Sequence, residues 1–166
     1  MTLERHFFTL YSKRMSLYQL IYQSQSLVPF ETPELIALLT QCRANNLRDG
    51  ITGLLLYTPD GRFLQVLEGS PEAVRRLYYQ HIAVDPRHFS CRVLSEGPCP
   101  QRAFAEWSMG FRVAQPEHLR TLLGYVAPTS PGLLVPRPHT RPELLALLRD
   151  FVAQCQEESW VEHPRL

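Results

Sequence analysis

Two runs of mostly apolar residues, 50–57 and 62–69, flank the short segment Thr58-Pro59-Asp60-Gly61. Both runs are rich in residues that favour strands, and a segment with Pro, Asp and Gly favours a tight turn. The pattern therefore predicts a β-hairpin. Because both arms are apolar over most of their length, we expect two central strands covered by helices on at least one face.

One polar residue, Gln65, interrupts the second arm between Phe63-Leu64 and Val66-Leu67. A primary amide among apolar neighbours needs partners for its two N–H donors and its carbonyl acceptor. The segment alone leaves two interpretations open. Gln65 lies on a solvent-facing side of the sheet, or its amide points at a buried polar ligand.

The stretch before the hairpin predicts a strand and a helix. Residues 17–24 alternate and predict the first strand. Thr32-Pro33-Glu34 is typical of a helix start with Thr32 as the N-cap, and Gly50 is typical of a helix end. The inward-facing residues of the strand are predicted to be Tyr18, Leu20 and Tyr22. The buried stripe of the helix is predicted to be Leu35, Leu38, Leu39 and Cys42.

After the hairpin, Ser70-Pro71-Glu72 repeats the helix-start signal, and apolar spacing predicts a second helix of similar length. Residues 85–88 predict a turn, 91–96 a fourth strand and 97–101 a loop. A fifth strand is predicted over residues 104–113. Its alternation places Trp107 and Met109 on one face and Ser108 on the other.

This element order, βαββαββ, predicts an α+β fold, a ferredoxin-like five-stranded sheet with two helices on one face. Two further helices are predicted, from Pro116 to a stop at Gly124 and from a cap at Thr140 onward. The apolar stripe of the last helix is Leu144, Leu147, Leu148, Phe151, Val152 and Cys155. That stripe covers the second face of the sheet or pairs with another subunit. We therefore divide the chain into an N-terminal extension (1–14), a core domain (15–114) and a C-terminal helical segment (115–166).

Composition removes several classes of function. Net charge is +1 with no block of like charge, which argues against nucleic-acid binding, and no apolar run reaches membrane-spanning length. Glu4, Arg5 and His6 interrupt the position of a signal-peptide core, so we predict a cytoplasmic protein. The four cysteines are scattered without metal-ligand spacing, which predicts free thiols and no metal site.

Three polar side chains are predicted to converge. Tyr22 and Gln65 lie on adjacent central strands, and Asn45-Asn46 lies in the last turn of the helix above them. Taken alone, each Asn is more typical of a capping or turn residue. Two amides and a phenol in one apolar slot would suit a planar heteroaromatic ligand with carbonyl and ring-nitrogen edges.

The sequence resembles the BLUF domains, blue-light sensors using flavin, over about residues 16–113. The resemblance rests on motifs in the family's order and spacing. They are Ile21-Tyr22-Gln23-Ser24, Asn45-Asn46, Gly50–Tyr57, Phe63–Gly69, Asp85-Pro86-Arg87-His88 and Trp107-Ser108-Met109-Gly110-Phe111. The loop Thr58–Gly61 is about one residue longer than in some relatives, away from the flavin.

The resemblance implies a non-covalently bound flavin, FAD first, with FMN or riboflavin as alternatives. The ring would lie between the helices of residues 33–46 and 71–83. The family's photoactive positions match Tyr22, Gln65, Asn46, Trp107 and Met109, and its further flavin-binding positions match Asn45, Arg87 and His88. Without the resemblance, Trp107 and Met109 read equally well as core residues.

The mechanism implied by the resemblance is an electron transfer from Tyr22, a proton relay through Gln65 and a lasting change of that amide. The output would pass to a signalling partner or to a change of assembly, with a homodimer expected. No nucleophile–base pair, acidic dyad or dinucleotide-binding glycine motif is present, so we expect no enzyme activity. The alternatives are a light-independent ligand-binding regulator and an acylphosphatase-like hydrolase on the same scaffold.

Overall fold

A computed structural model describes residues 16–126, 135–136 and 139–154. Its centre is a five-stranded mixed sheet in the order β4-β1-β3-β2-β5. The strands are β1 (Leu17–Ser26), β2 (Thr52–Tyr57), β3 (Arg62–Gly69), β4 (His88–Cys99) and β5 (Gly110–Val113). All neighbouring pairs are antiparallel except β2 and β5, which are parallel. The predicted hairpin and the α+β, ferredoxin-like fold are confirmed.

Two helices lie on one face of the sheet. The first, α1 (Thr32–Asp49), has Glu31 as its N-cap instead of the predicted Thr32. The Glu31 N–H donates to the Glu34 carboxylate (2.8 Å), which is a bond that a long acidic side chain at the third helical position provides. The helix ends as predicted at Gly50, whose φ of 69° favours glycine.

The second helix, α2 (Pro71–Arg76), continues directly into a π-helical turn (Leu77–Ile82). Its predicted N-cap is correct, because Ser70 Oγ accepts from the Ala73 N–H (3.2 Å). The wider π-helical turn has no counterpart in the sequence pattern, and such turns are frequent at functional sites.

The sheet separates two apolar cores. One lies under α1 and α2 and contains the predicted inward side chains of β1 together with Leu35, Leu39 and Val74. The other lies under two further helices, α3 (Pro116–Leu122) and α4 (Arg141–Gln154). The α4 stripe packs on Ile21, Leu54, Leu56, Leu64 and Val66. The stripe therefore covers the sheet of its own chain, although the predicted member Cys155 lies outside the described residues.

Two predictions about the second half of the sheet are wrong. Residues 97–99, predicted as a loop, extend β4, since Gly97 and Cys99 pair with β1. The predicted strand over 104–113 begins only at Gly110. The preceding segment leaves the strand path where Trp107 N–H donates to Phe104 O (3.3 Å), an intrasegment bond that a strand does not form.

This departure has a consequence for two predicted site residues. Trp107 packs in the α3/α4 core and Met109 in the α1/α2 core, so they lie on opposite faces. Gly110 leaves room for the Trp107 ring, because a Cβ there would stand 2.8 Å from Trp107 Cε3.

The short strands β6 (Tyr125–Val126) and β7 (Val135–Pro136) pair with each other. Within the described part of the chain, no helix has the length and apolar character needed to span a membrane.

Candidate functional site

A cavity of about 690 Å³, counted to its open mouth, lies between α1 and the π-helical turn above the sheet. Apolar side chains form most of the wall, and amides, a phenol and a charged pair are set among them. The lining residues are Tyr22, Phe30, Leu38, Cys42, Asn45, Asn46, Leu55, Phe63, Gln65, Leu77, Ile82, Asp85, Arg87 and His88.

Tyr22 and Gln65 face each other across β1 and β3 in direct register. Tyr22 Oη donates to Gln65 Oε1, and Gln65 Nε2 contacts Met109 Sδ at 3.3 Å. Gln65 is 5% exposed, so the solvent-facing interpretation of this residue is wrong. Because a phenol donates to one end of the amide and a thioether accepts from the other, the two contacts define its orientation.

Burial raises the pKa of Tyr22 well above its ordinary value, because the buried phenolate would lack water. The neighbouring Tyr78 ring lies 4.9 Å away, and burial likewise raises its pKa to about 12. Both phenols are therefore protonated at physiological pH. Tyr22 holds its proton on the oxygen that faces Gln65.

Asn46 is buried and lines the cavity. Its Nδ2 donates to the Ser108 carbonyl (2.8 Å), which ties the end of α1 to the segment before β5. Asn45 also lines the cavity and is half-buried. The two amides give this end of the cavity both donors and acceptors.

Charged and imidazole groups stand together on another part of the wall. The Arg87 guanidinium contacts the Asp85 carboxylate at 2.6 Å, and this hydrogen-bonded pairing lowers the pKa of Asp85 below its ordinary value. His88 Nδ1 lies 2.9 Å from Ser24 Oγ. A polar or anionic part of a ligand would find donors here.

The structure thus gathers six predicted site residues around one cavity, namely Tyr22, Asn45, Asn46, Gln65, Arg87 and His88. Met109 adjoins it through Gln65. Trp107 is not brought to the cavity: it stacks against Phe104 on the opposite face of the sheet (6.2 Å between rings). Within the described part of the chain its buried Nε1 has no hydrogen-bond partner.

The sequence reasoning missed several wall residues. Leu38 and Cys42 were assigned only to a core stripe, although their four-residue spacing continues to Asn46 on the same helical face. Phe30 lies before α1 and carries no local signal; its backbone is held by bonds with Tyr57 Oη (N–H 2.7 Å, carbonyl 3.2 Å).

Comparisons with known proteins show the family of the chain. The family model "BLUF: Sensors of blue-light using FAD" matches residues 17–110. The chain is similar to photoactivated adenylate cyclase subunit beta of Euglena gracilis, at 30% identity over 148 residues, 86% of this chain and 17% of the relative. It therefore spans less than a fifth of the curated relatives it first matches.

Solved structures show the same likeness. The dark-state structure of BlrB, a BLUF protein, aligns with a TM-score of 0.55 and 34% identity, covering 64% of this chain and 78% of that one. A Klebsiella pneumoniae BlrP1 structure with FMN and cyclic diGMP aligns with a TM-score of 0.52 and 36% identity, covering 60% and 26%. Because the family model matches residues 17–110, more than half of the chain, the chain belongs to the BLUF family of blue-light sensors using FAD.

Proposed function

We propose that this chain holds a flavin in the cavity between α1 and the π-helical turn and acts as a blue-light photoreceptor. The observation that carries the proposal is the buried Tyr22–Gln65 pair at the wall of an apolar slot that also holds two Asn amides. These residues fit a flat ring system with a polar edge. Leu38, Leu55 and Ile82 would contact its faces, and Asn45 and Asn46 its carbonyl edge. Arg87 and His88 would bind nearer its side chain.

When bound, a flavin supplies blue-light absorption and, once excited, the power to oxidise a nearby phenol. Tyr22 is the electron donor in this proposal, because it is the phenol hydrogen-bonded to the polar wall of the cavity. Its proton leaves Oη toward Gln65 Oε1, the acceptor already in contact. Electron and proton both return to Tyr22, so there is no net oxidation.

The lasting change is in Gln65. The two ends of a primary amide differ in hydrogen-bonding sense but hardly in shape, so rotation or tautomerisation exchanges donor and acceptor without repacking. Rotation ends the present contact of Nε2 with Met109 Sδ, because it places Oε1 opposite the sulfur. It also presents a new donor to the cavity, and absorption shifts slightly to the red.

The experiment that tests this step is the visible spectrum of the purified protein in the dark and after blue light. Wild type should show a flavin spectrum that shifts red and returns in darkness. Gln65→Leu should keep the flavin and lose the shift, whereas the control Gln80→Leu, on the exposed side of the π-helical turn, should behave as wild type. A normal photocycle in Gln65→Leu contradicts the role of the amide.

The output in this proposal travels through the segment that carries Met109. Met109 precedes β5, and the chain leads from β5 into α3. α3 and α4 form the outer layer over the α3/α4 core. Met109→Ala should therefore retain the red shift and lose the light-dependent hydrogen exchange of α4. An unchanged light–dark difference in α4 rules out this route.

The proposed partner is a downstream signalling protein or a second copy of this chain, and a homodimer is the simplest assembly. The relatives are photoactivated adenylate cyclases, so a light-controlled effector is the matching class of partner. A cytoplasmic location and the absence of enzyme activity in this chain belong to the same proposal. Purified protein that takes up no flavin would favour the light-independent ligand-binding regulator instead.

A further inference from the structure

A second group of buried polar residues lies on the opposite face of the sheet from the cavity. Its centre is Glu68, three residues after Gln65 on β3 and 0% exposed. In the register of the sheet, Glu68 stands between Gln19 on β1 and Thr52 on β2. A carboxylate in such a place is destabilising unless its oxygens accept several hydrogen bonds.

Each oxygen of the Glu68 carboxylate accepts two hydrogen bonds. Oε2 accepts from Gln19 Nε2 (3.1 Å) and from the Ala103 N–H (2.9 Å). Oε1 accepts from Thr52 Oγ1 (3.0 Å) and from the Phe104 N–H (2.7 Å). Two donors therefore come from the flanking strands, and two come from the backbone of the irregular segment that leads to Trp107 and Met109.

Arg102 strengthens the same attachment. Its guanidinium donates to Thr52 Oγ1 (2.8 Å), to the Glu68 carbonyl (3.1 Å) and to the Gly50 carbonyl (2.9 Å). Arg102 thus fixes both Thr52, one of the donors to the Glu68 carboxylate, and the backbone of Glu68 itself.

Contacts continue from this point to the cavity. The Phe104 carbonyl accepts from the Trp107 N–H (3.3 Å), and the two rings stack. Further along, the Ser108 carbonyl accepts from Asn46, and Met109 Sδ contacts Gln65. Of the contacts that hold the segment 103–109, those of Asn46 and Gln65 come from cavity residues, and those of Glu68 come from the opposite face of the sheet. Its backbone carbonyls also accept from the Gly53 N–H (3.2 Å, at Trp107), from Arg43 Nε (3.0 Å, at Met109) and from Arg149 (3.1 Å, at Ala103).

The proposed change of the Gln65 amide acts directly on some of these contacts and not on others. Asn46 and Gln65 line the cavity, and rotation of the Gln65 amide directly removes the contact with Met109. The side chain of Glu68 lies on the face of the sheet opposite the cavity. Its carboxylate accepts from Gln19, Thr52, Ala103 and Phe104, none of which lines the cavity. We propose that Glu68 is a positioning residue for the light response: its carboxylate is the fixed anchor about which the Trp107–Met109 segment rearranges.

This inference rests on the proposed photoreceptor function, and it makes a prediction that does not need light. In Glu68→Gln an NH2 group replaces one oxygen and faces two donors, so at least one backbone N–H loses its acceptor. Dark hydrogen exchange at the 103–109 amides should rise by about tenfold, because local opening no longer breaks those bonds.

In the same variant, the red shift should stay at its full size, since Tyr22 and Gln65 are untouched. Dark recovery should be faster by about threefold or more, because a loosened segment returns Met109 with a lower barrier. Val74→Ala, a buried substitution in α2 that does not line the cavity, serves as a stability-matched control. It should lower the melting temperature without altering recovery or exchange in 103–109.

Thr52→Val removes one donor to Glu68 and should give the same changes at smaller size, and Thr52→Ser should restore wild-type behaviour. These milder variants keep the test valid if Glu68→Gln does not fold. Exchange in 103–109 and dark recovery that match wild type in both Glu68→Gln and Thr52→Val overturn the anchor role. A wild-type protein without any red shift instead overturns the photoreceptor function, while the dark exchange result still reports on the anchor.

Discussion

The substitution Tyr22→Phe isolates one oxygen atom at the centre of the site. The ring of residue 22 packs against Tyr78 with 4.9 Å between centroids, and a phenyl group preserves that packing. What disappears is the donor to Gln65 Oε1. The amide oxygen is then a buried acceptor without its partner, and Gln65 loses one of the two contacts that set its orientation.

The magnitude follows from that loss. Leaving a buried acceptor without its hydrogen bond costs about 1–3 kcal/mol of folding free energy. Because the variant no longer has to bury the Tyr22 hydroxyl, part of this cost is offset, and we expect a net loss of about 1–2 kcal/mol. For a chain of this size, each kcal/mol lowers the melting temperature by about 2–4 °C. We therefore expect thermal unfolding about 2–8 °C below wild type, together with complete loss of the reversible red shift.

Two measurements on the flavin-loaded protein decide the matter: thermal unfolding, and the difference spectrum after blue light. Tyr78→Phe is the matched control, since it removes a phenol oxygen from the adjacent ring and should keep the shift. A reversible red shift of normal size in Tyr22→Phe refutes the assignment of Tyr22 as electron donor. Loss of the shift in Tyr78→Phe alone would transfer that role to Tyr78.

Three further predictions concern the sulfur contact, the helical cover and pH. Met109→Leu keeps the side-chain volume but removes the acceptor for Gln65 Nε2, so the dark orientation of the Gln65 amide loses up to about 1 kcal/mol. Dark recovery should therefore slow by up to about fivefold, and unchanged recovery argues against that contact. Leu148 in the α3/α4 core is 0% exposed, so Leu148→Ala should destabilise the fold by about 2–5 kcal/mol in thermal unfolding. The red shift should stay intact, because the cavity lies on the other face of the sheet. A red shift lost below the melting transition contradicts this independence of the two faces. Because the pKa values of Tyr22 and Tyr78 are raised, the folded state binds more protons than the unfolded state above about pH 10. The free energy of unfolding should therefore fall as pH rises through that range. Tyr78→Phe should weaken this pH dependence, and an equal dependence in the variant would count against the role of Tyr78 in it.

Much of the site was predictable because local patterns carry it. The hairpin, the inward face of β1 and the placement of Asn46 at the end of α1 follow from alternation, helical spacing and a terminal glycine. The segment around Gln65 left its face open; Tyr22 and Gln65 were expected together because the predicted strand order makes β1 and β3 neighbours, and the two residues pair directly in the register of the sheet.

Other features depend on contacts between residues distant in sequence. Alternation alone placed Trp107 and Met109 on one face, but long-range bonds to the 103–109 segment redirect the backbone. Among these partners is Glu68, which reads locally as one charged residue at the end of an apolar strand. Its role emerges only when two flanking strands and a loop deliver four donors to it.

The sequence by itself determined the hairpin, β1 and α1 with their inward-facing residues, because periodicity and capping are properties of short segments. The flavin-binding roles of Asn45, Arg87 and His88 were expected only from the resemblance to a known family. The tertiary structure alone decided which side of the sheet holds Trp107, where the α4 stripe is buried and what surrounds Glu68. Those outcomes depend on which backbone donors remain without partners after the sheet has formed, and burial requires each of them to find an acceptor.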